Sequence, residues 1–175
     1  DYGAQWFAHM LASINPGRKK TVLVATSGDT GSAVANALHA SESIQACILF
    51  PRNKISTRQE QQITCWGDNI HAIAVDGTFD DCQAMVKHAF ADTSLVKNIG
   101  LTTSNSINIA RLLPQVVFYA YASLRLVGDT RPRVNIMVPS GNLGNVTACY
   151  WAKAMGFPIG NIGIACNANT ALQYF

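Results

Sequence analysis

Between Thr21 and Cys166 the chain alternates short apolar runs with helix-forming stretches, and no other feature constrains its fold as strongly. Thr21–Ala25, Gln45–Phe50, Ile70–Val75 and Val134–Val138 are bounded, largely apolar segments of the kind found in strands covered on both faces. Leu101–Ser104 is a weaker strand, and Ile162–Cys166 is a sixth. Helices are predicted over Gly3–Ile14, Ser32–Ala40, Ser56 onward, Thr78 through Phe90, Ile109–Val127 and Val146–Met155. The first carries Trp6, Phe7, Met10, Leu11 and Ile14 at helical spacing and stops at Asn15-Pro16-Gly17. Ser56 with Gln59, and Thr78 with Asp81, stand at the spacing of capping boxes. Pro114 lies near the first turn of its helix or kinks it. Alternation of this kind predicts an α/β fold: right-handed βαβ units on a parallel, twisted sheet with helices on both faces.

Two lobes are expected. The helix over Ile109–Val127 is longer than a simple crossover needs, and Gly128-Asp129-Thr130-Arg131-Pro132 follows it as a linker. The division puts residues 20–104 in a small α/β lobe, and residues 1–19 with 105–175 in an incomplete portion of a larger one. Only 13% of the 175 residues are charged, against roughly a quarter in ordinary soluble domains. The chain is therefore expected to be extensively buried, with part of its surface covered.

The net charge of +3 is small and scattered, and its densest basic run, Arg18-Lys19-Lys20, reads as a solvated loop. Without a basic stripe or interleaved aromatics, nucleic-acid binding is disfavoured. Five cysteines form no C-x-x-C pair, so neither a disulfide framework nor a metal site is indicated, and a reducing, cytoplasmic compartment is expected. No apolar run is long enough to span a membrane.

The chemistry sits in an internal echo. Ser27-Gly28-Asp29-Thr30-Gly31 follows the first strand and opens a helix; Ser140-Gly141-Asn142-Leu143-Gly144-Asn145 follows the fifth strand and opens another. Ligands of open α/β sheets bind at such carboxyl ends. Glycines allow close backbone approach, and unpaired amides of a first helical turn suit an anion. Two such loops suit two phosphate or carboxylate groups. Neither is a dinucleotide fingerprint or a Walker A motif, which disfavours nucleotides. The plainer alternative is a pair of ordinary strand-to-helix turns.

Three runs in this order carry a resemblance: Ala25-Thr26-Ser27-Gly28-Asp29-Thr30-Gly31-Ser32-Ala33, Asn105-Ser106-Ile107-Asn108-Ile109-Ala110-Arg111, and Pro139-Ser140-Gly141-Asn142-Leu143-Gly144-Asn145. With Phe50-Pro51-Arg52-Asn53-Lys54-Ile55-Ser56 and Val75-Asp76-Gly77-Thr78-Phe79-Asp80 between them, the chain resembles the threonine synthase family over essentially its whole length. The resemblance implies a fold-type II, tryptophan synthase beta-like enzyme dependent on pyridoxal 5'-phosphate (PLP). The implied reaction is O-phospho-L-homoserine and water to L-threonine and phosphate. It assigns Gly141, Asn142, Leu143, Gly144 and Asn145 to the cofactor phosphate, and Ser27 and Asp29 to the neighbourhood of the cofactor ring. Thr26, Thr30, Asn105, Ser106 and Arg111 are assigned to the substrate phosphate, for which arginine offers a matched fork of donors.

Structural alternatives stand beside these roles: Asn105 and Asn108 as turn residues, and Arg111 as a side chain snorkelling to solvent. Asp29 beside an anionic cofactor oxygen requires either a proton on the carboxyl or a neutral phenol on the cofactor. In the family a lysine precedes the Asp-aromatic-Gly that here is Asp1-Tyr2-Gly3, and none of Lys19, Lys20, Lys54, Lys87, Lys97 or Lys153 has that context. No catalytic residue is therefore assigned within the chain, and the 175 residues alone are expected to be inactive. Other expectations are a threonine-synthase-like phospholyase and a non-catalytic module binding phosphate or PLP.

Overall fold

The structure, a computed structural model, describes residues 2–14, 17–105, 108–128, 132–139, 141 and 143–166. It forms two compact units, Asp1–Asn108 and Ile109–Phe175.

In the first unit, α1 (Tyr2–Ile14) leads into β1 (Lys20–Ala25), α2 (Asp29–Leu38), β2 (Ile44–Pro51), α3 (Thr57–Thr64), β3 (Ile70–Val75), α4 (Phe79–Ala91), α5 (Thr93–Asn98) and β4 (Leu101–Thr102). The strands make one parallel sheet in the order β3-β2-β1-β4. Register pairs Val22 with Ala46, and Ala46 with Ile70. Successive side chains go to opposite faces. Leu23, Ala25, Cys47, Leu49 and Val75 therefore join Cys82, Val86, Phe79 and Phe90 of α4 in one apolar layer. Val22, Val24, Ala46, Ile48 and Phe50, all buried, point to the other face, where α2 packs on β2.

Local chemistry explains where the helices begin. Ser56 and Thr78 each accept the amide of the residue three positions on, and Gln59 and Asp81 reach back to the cap amides, closing both expected capping boxes. Short α5 was not foreseen; Asp92 starts it by accepting the amides of Ser94 and Leu95. A buried Asn69 ties the layers together. Its amide group donates to the Leu38 and Ile44 carbonyls at 2.7 Å each, and its oxygen accepts the Ala40 amide at 3.1 Å.

The second unit contains α6 (Ile109–Leu112), a 3-10 turn (Leu113–Gln115), α7 (Val116–Leu126), β5 (Val134–Pro139), α8 (Gly144–Ala154) and β6 (Ile159–Ala165). The helix expected over Ile109–Val127 is thus interrupted at Pro114, which has no amide to continue the ladder. β5 and β6 are parallel, with α8 as their crossover. Val116, Val138, Val146, Ala148, Cys149, Ala152 and Ile159 form the core. β6 begins three residues before the expected Ile162. Gly160, Asn161 and Gly163 are weak strand formers that hide its start, whereas the Asn161 amide donates to Asn135 Oδ1 at 2.8 Å. Large apolar side chains stay exposed on this unit, among them Phe118, Tyr121, Leu126 and Met137.

The seam between units falls after Asn108 rather than after residue 104, and the expected 20–104 lobe lies inside the first unit. Residues 1–19 were expected with 105–175. Here α1 buries Gly3, Ala4 and Phe7 and packs on α2. Among the described residues, no helix is long and apolar enough to cross a membrane.

Candidate functional site

Each glycine loop occupies the carboxyl end of a parallel strand, one in each unit. The first begins where β1 hands its last ladder bond to Thr26, whose amide donates to the Leu49 carbonyl at 2.9 Å. Thr26 is 1% exposed, and its Oγ1 accepts the amides of Gly28 at 3.0 Å and Gly31 at 2.9 Å. The loop is therefore wound around a strand hydroxyl. Gly28 adopts φ 141°, ψ −83°, which a side chain would strain. A Cβ on Gly31 would come within 2.6 Å of Thr26 Cγ2 and 3.1 Å of Ile48 Cγ2, so only glycine lets α2 start this close to the sheet.

This geometry corrects one expectation. The Gly28 and Gly31 amides are already engaged by Thr26 and are not open to an anion. Ser27 and Asp29 are exposed and Thr30 is half-buried. Asp29 Oδ1 accepts the side-chain amide of Gln59 at 2.9 Å, and the Asp29 carbonyl accepts the Ser32 hydroxyl at 2.9 Å.

β4 runs parallel to β1, so the chain leaving it at Thr103 emerges at the same edge as this loop. Asn108 serves as a turn residue: its amide group donates to the Thr103 carbonyl at 2.8 Å, and its backbone N–H to the Asn105 carbonyl at 2.9 Å. Asn105 differs. Its Oδ1 is buried and meets no hydrogen-bond partner among the described residues. A buried amide oxygen without a donor costs about 1–3 kcal/mol, which a ligand donor would recover. Ser106 lies outside the described residues.

In the second unit, Arg111 on α6 is 4% exposed, which removes the snorkelling alternative. Burial lowers its pKa from the ordinary arginine value by penalising the charged form. The Gln115 side chain donates to the Arg111 carbonyl at 2.9 Å.

The second loop is shaped by its backbone at Leu143. Leu143, the residue before α8, takes the left-handed conformation at φ 62°, ψ 0°, and no side-chain hydrogen bond caps the helix among the described residues. A left-handed leucine costs about 1–2 kcal/mol, offset here by packing of its side chain on the core. Thr147 sends its amide and hydroxyl to the Leu143 carbonyl at 2.9 and 2.8 Å. A Cβ on Gly141 would meet nothing within 4 Å among the described residues. The Tyr119 hydroxyl donates to Asn145 Oδ1, leaving the Asn145 amide group as a donor. Burial first, and Cys149 second, push the Tyr119 pKa up to about 12, so this hydroxyl stays a donor at physiological pH. The left-handed entry into the helix, the helix dipole and a neutral amide donor together suit a phosphate monoester. Ser140 and Asn142 lie outside the described residues.

Sequence reading missed Gln59 and Tyr119 as parts of these loops. The capping box had marked Gln59 as a helix residue, but nothing in its spacing pointed to Asp29, 30 positions away. Thr26 had been read as a ligand residue; a strand-end threonine two positions before a glycine is a signal for the brace it forms.

Comparison with known proteins follows the same lines. A threonine synthase of Haemophilus influenzae is 47% identical over 175 residues, covering 100% of this chain and 41% of that protein. A crystal structure of threonine synthase from Escherichia coli has a TM-score of 0.87 at 39% identity, covering 99% of this chain and 41% of that one. A PLP-bound threonine synthase from Brucella melitensis has a TM-score of 0.80 at 38% identity, covering 93% and 36%. The chain spans about two-fifths of the length of these relatives. Since the family model for pyridoxal-phosphate dependent enzymes matches residues 1–174, the chain belongs to that family.

Proposed function

We propose that this chain is the part of a threonine synthase that carries its two phosphate-handling loops, the whole protein converting O-phospho-L-homoserine and water into L-threonine and phosphate. The observation that carries this reading is the left-handed turn at Leu143 that opens α8 at the end of β5, within a chain 47% identical to a threonine synthase throughout. The donor set there fits the phosphate of PLP: backbone amides, a helix dipole and the neutral Asn145 amide, with no carboxylate among Gly141, Asn142, Leu143, Gly144 and Asn145. PLP, when bound, supplies the electron sink for the chemistry at the substrate carbons.

The remaining roles belong to the chain's own groups. Ser27 and Asp29 flank the cofactor ring. Arg111 offers a desolvated guanidinium to the substrate phosphate, where a low dielectric strengthens its attraction for a dianion. Thr30, Asn105 and Ser106 add neutral donors. Thr26 already accepts two amides, so its contribution to the substrate phosphate reduces to its single O–H. Residues 1–19 and 105–175 contribute to the larger, cofactor-holding lobe, and the protein works in the cytoplasm.

The test uses the complete protein, purified with PLP and supplied with O-phospho-L-homoserine. Threonine and phosphate in equal amounts support the proposal. Phosphate with a keto acid would replace it with a phospholyase, and tight PLP binding without turnover would replace it with a binding module.

A further inference from the structure

Gln59 contributes to none of the motifs that carry the family resemblance, yet its side chain joins three separate features of the first loop. Its Oε1 accepts the Ser56 amide at 3.0 Å and the Ser56 hydroxyl at 3.0 Å. Its Nε2 donates to Asp29 Oδ1 at 2.9 Å. The same amide lies over Gly28: a Cβ there would stand 2.4 Å from Nε2 and 2.5 Å from Cδ. A backbone N–H can only donate, so the atom facing Ser56 must be the oxygen, and the NH2 group must face Asp29. The capping box of α3 thus fixes which end of the amide meets the carboxylate, and the missing side chain at Gly28 leaves room for it.

We infer that Gln59 is a positioning residue: it holds the Asp29 carboxylate in place beside the first glycine loop, with the α3 cap as its anchor. This inference rests on the reading of Asp29 as a neighbour of the cofactor ring. The plainer role, capping α3 and nothing more, is separable because the two ends of the amide do different work. Gln59→Glu keeps an acceptor for the Ser56 amide, since Ser-x-x-Glu is itself a capping box, while turning a carboxylate oxygen toward Asp29. Gln59→Ala removes both contacts.

The experiment titrates the absorbance of bound PLP against pH in the complete protein, for the wild type, Gln59→Glu, Gln59→Ala, Asp29→Asn and the Asp29→Asn/Gln59→Ala double variant. Thermal melting is recorded in parallel. Gln59→Glu should melt with the wild type, yet move the spectral midpoint up by about one pH unit, tenfold in the proton equilibrium, because added negative charge favours the protonated cofactor. Gln59→Ala should also move the midpoint, and that effect should vanish in the Asp29→Asn background, as coupled neighbours require. A midpoint that responds to Asp29→Asn but to neither Gln59 variant overturns the inference and leaves Asp29 at the ring. A midpoint indifferent to Asp29→Asn as well overturns the placement of Asp29, and the inference with it.

Discussion

The loops after β1 and β5 share a glycine pattern, and they are held open by different means. After β1, Thr26 turns its hydroxyl inward and takes two loop amides, and Gln59 reaches in from α3 to the Asp29 carboxylate. After β5, no side chain caps the helix among the described residues; a left-handed leucine packed on the core shapes the turn, and Tyr119 steadies Asn145 from α7. A third arrangement stands beside them: α3 and α4 close their own N-termini with capping boxes. Helix starts satisfied by their own side chains have little left to offer an anion. The start of α8 has no side-chain cap at Leu143 among the described residues, and the dipole of a helix N-terminus favours an anion. The first loop is thus braced by side chains, and the second is shaped by a left-handed backbone turn.

The contrast breaks most readily at Thr26. Thr26→Val in the complete protein keeps the volume but leaves two buried amides without an acceptor, an expected loss of about 2–4 kcal/mol. Urea denaturation measures it, and a loss below about 1 kcal/mol would mean the hydroxyl does not hold the loop. Gly28→Ala should cost about 1–3 kcal/mol through backbone strain, and should displace the Gln59 side chain. A crystal structure of that variant with the Gln59–Asp29 contact intact would contradict the close approach.

Tyr119→Phe tests the second loop. Losing one donor to Asn145 should weaken PLP binding about fivefold, or about 1 kcal/mol, with little change in folding stability. With the phenol pKa near 12, the effect should be the same at neutral and mildly alkaline pH, and a pH-dependent loss would mean the hydroxyl is ionising. The smallest effect belongs to the self-capped class. Hydrogen bonds from the Thr78 amide and hydroxyl hold the Asp81 carboxyl below its ordinary value of 3.8. A depressed folded pKa contributes stability above the unfolded value and loses it as pH falls through the folded one. Asp81→Asn should therefore lower stability slightly at neutral pH and converge on the wild type in acid, flattening the decline as pH falls through that range.

Much of this was legible before any coordinates. The βα alternation, the parallel sheet and both capping boxes follow from patterns spanning a few residues, and each is present. The misses have local causes too. Pro114 splits a helix that apolar periodicity had joined, α5 is too short to show a period, and the glycines of β6 mask its first residues. The environments of the candidate site residues were not legible: Arg111 is buried, Asn105 is half-buried with its Oδ1 enclosed, and Thr26 spends its oxygen on the loop itself.

Taken alone, the amino-acid order determined which segments become strands and helices, where α3 and α4 are capped, and which strand ends carry glycine loops. These depend on backbone preference and on hydrogen bonds reaching two to four residues. Only the tertiary structure decided that Gln59 meets Asp29 across 30 positions, that Tyr119 meets Asn145 across 26, and that Asn69 clamps Leu38 and Ile44. Such partners are chosen by how the layers stack, and a polar side chain carries no local mark of the distant group that will satisfy it.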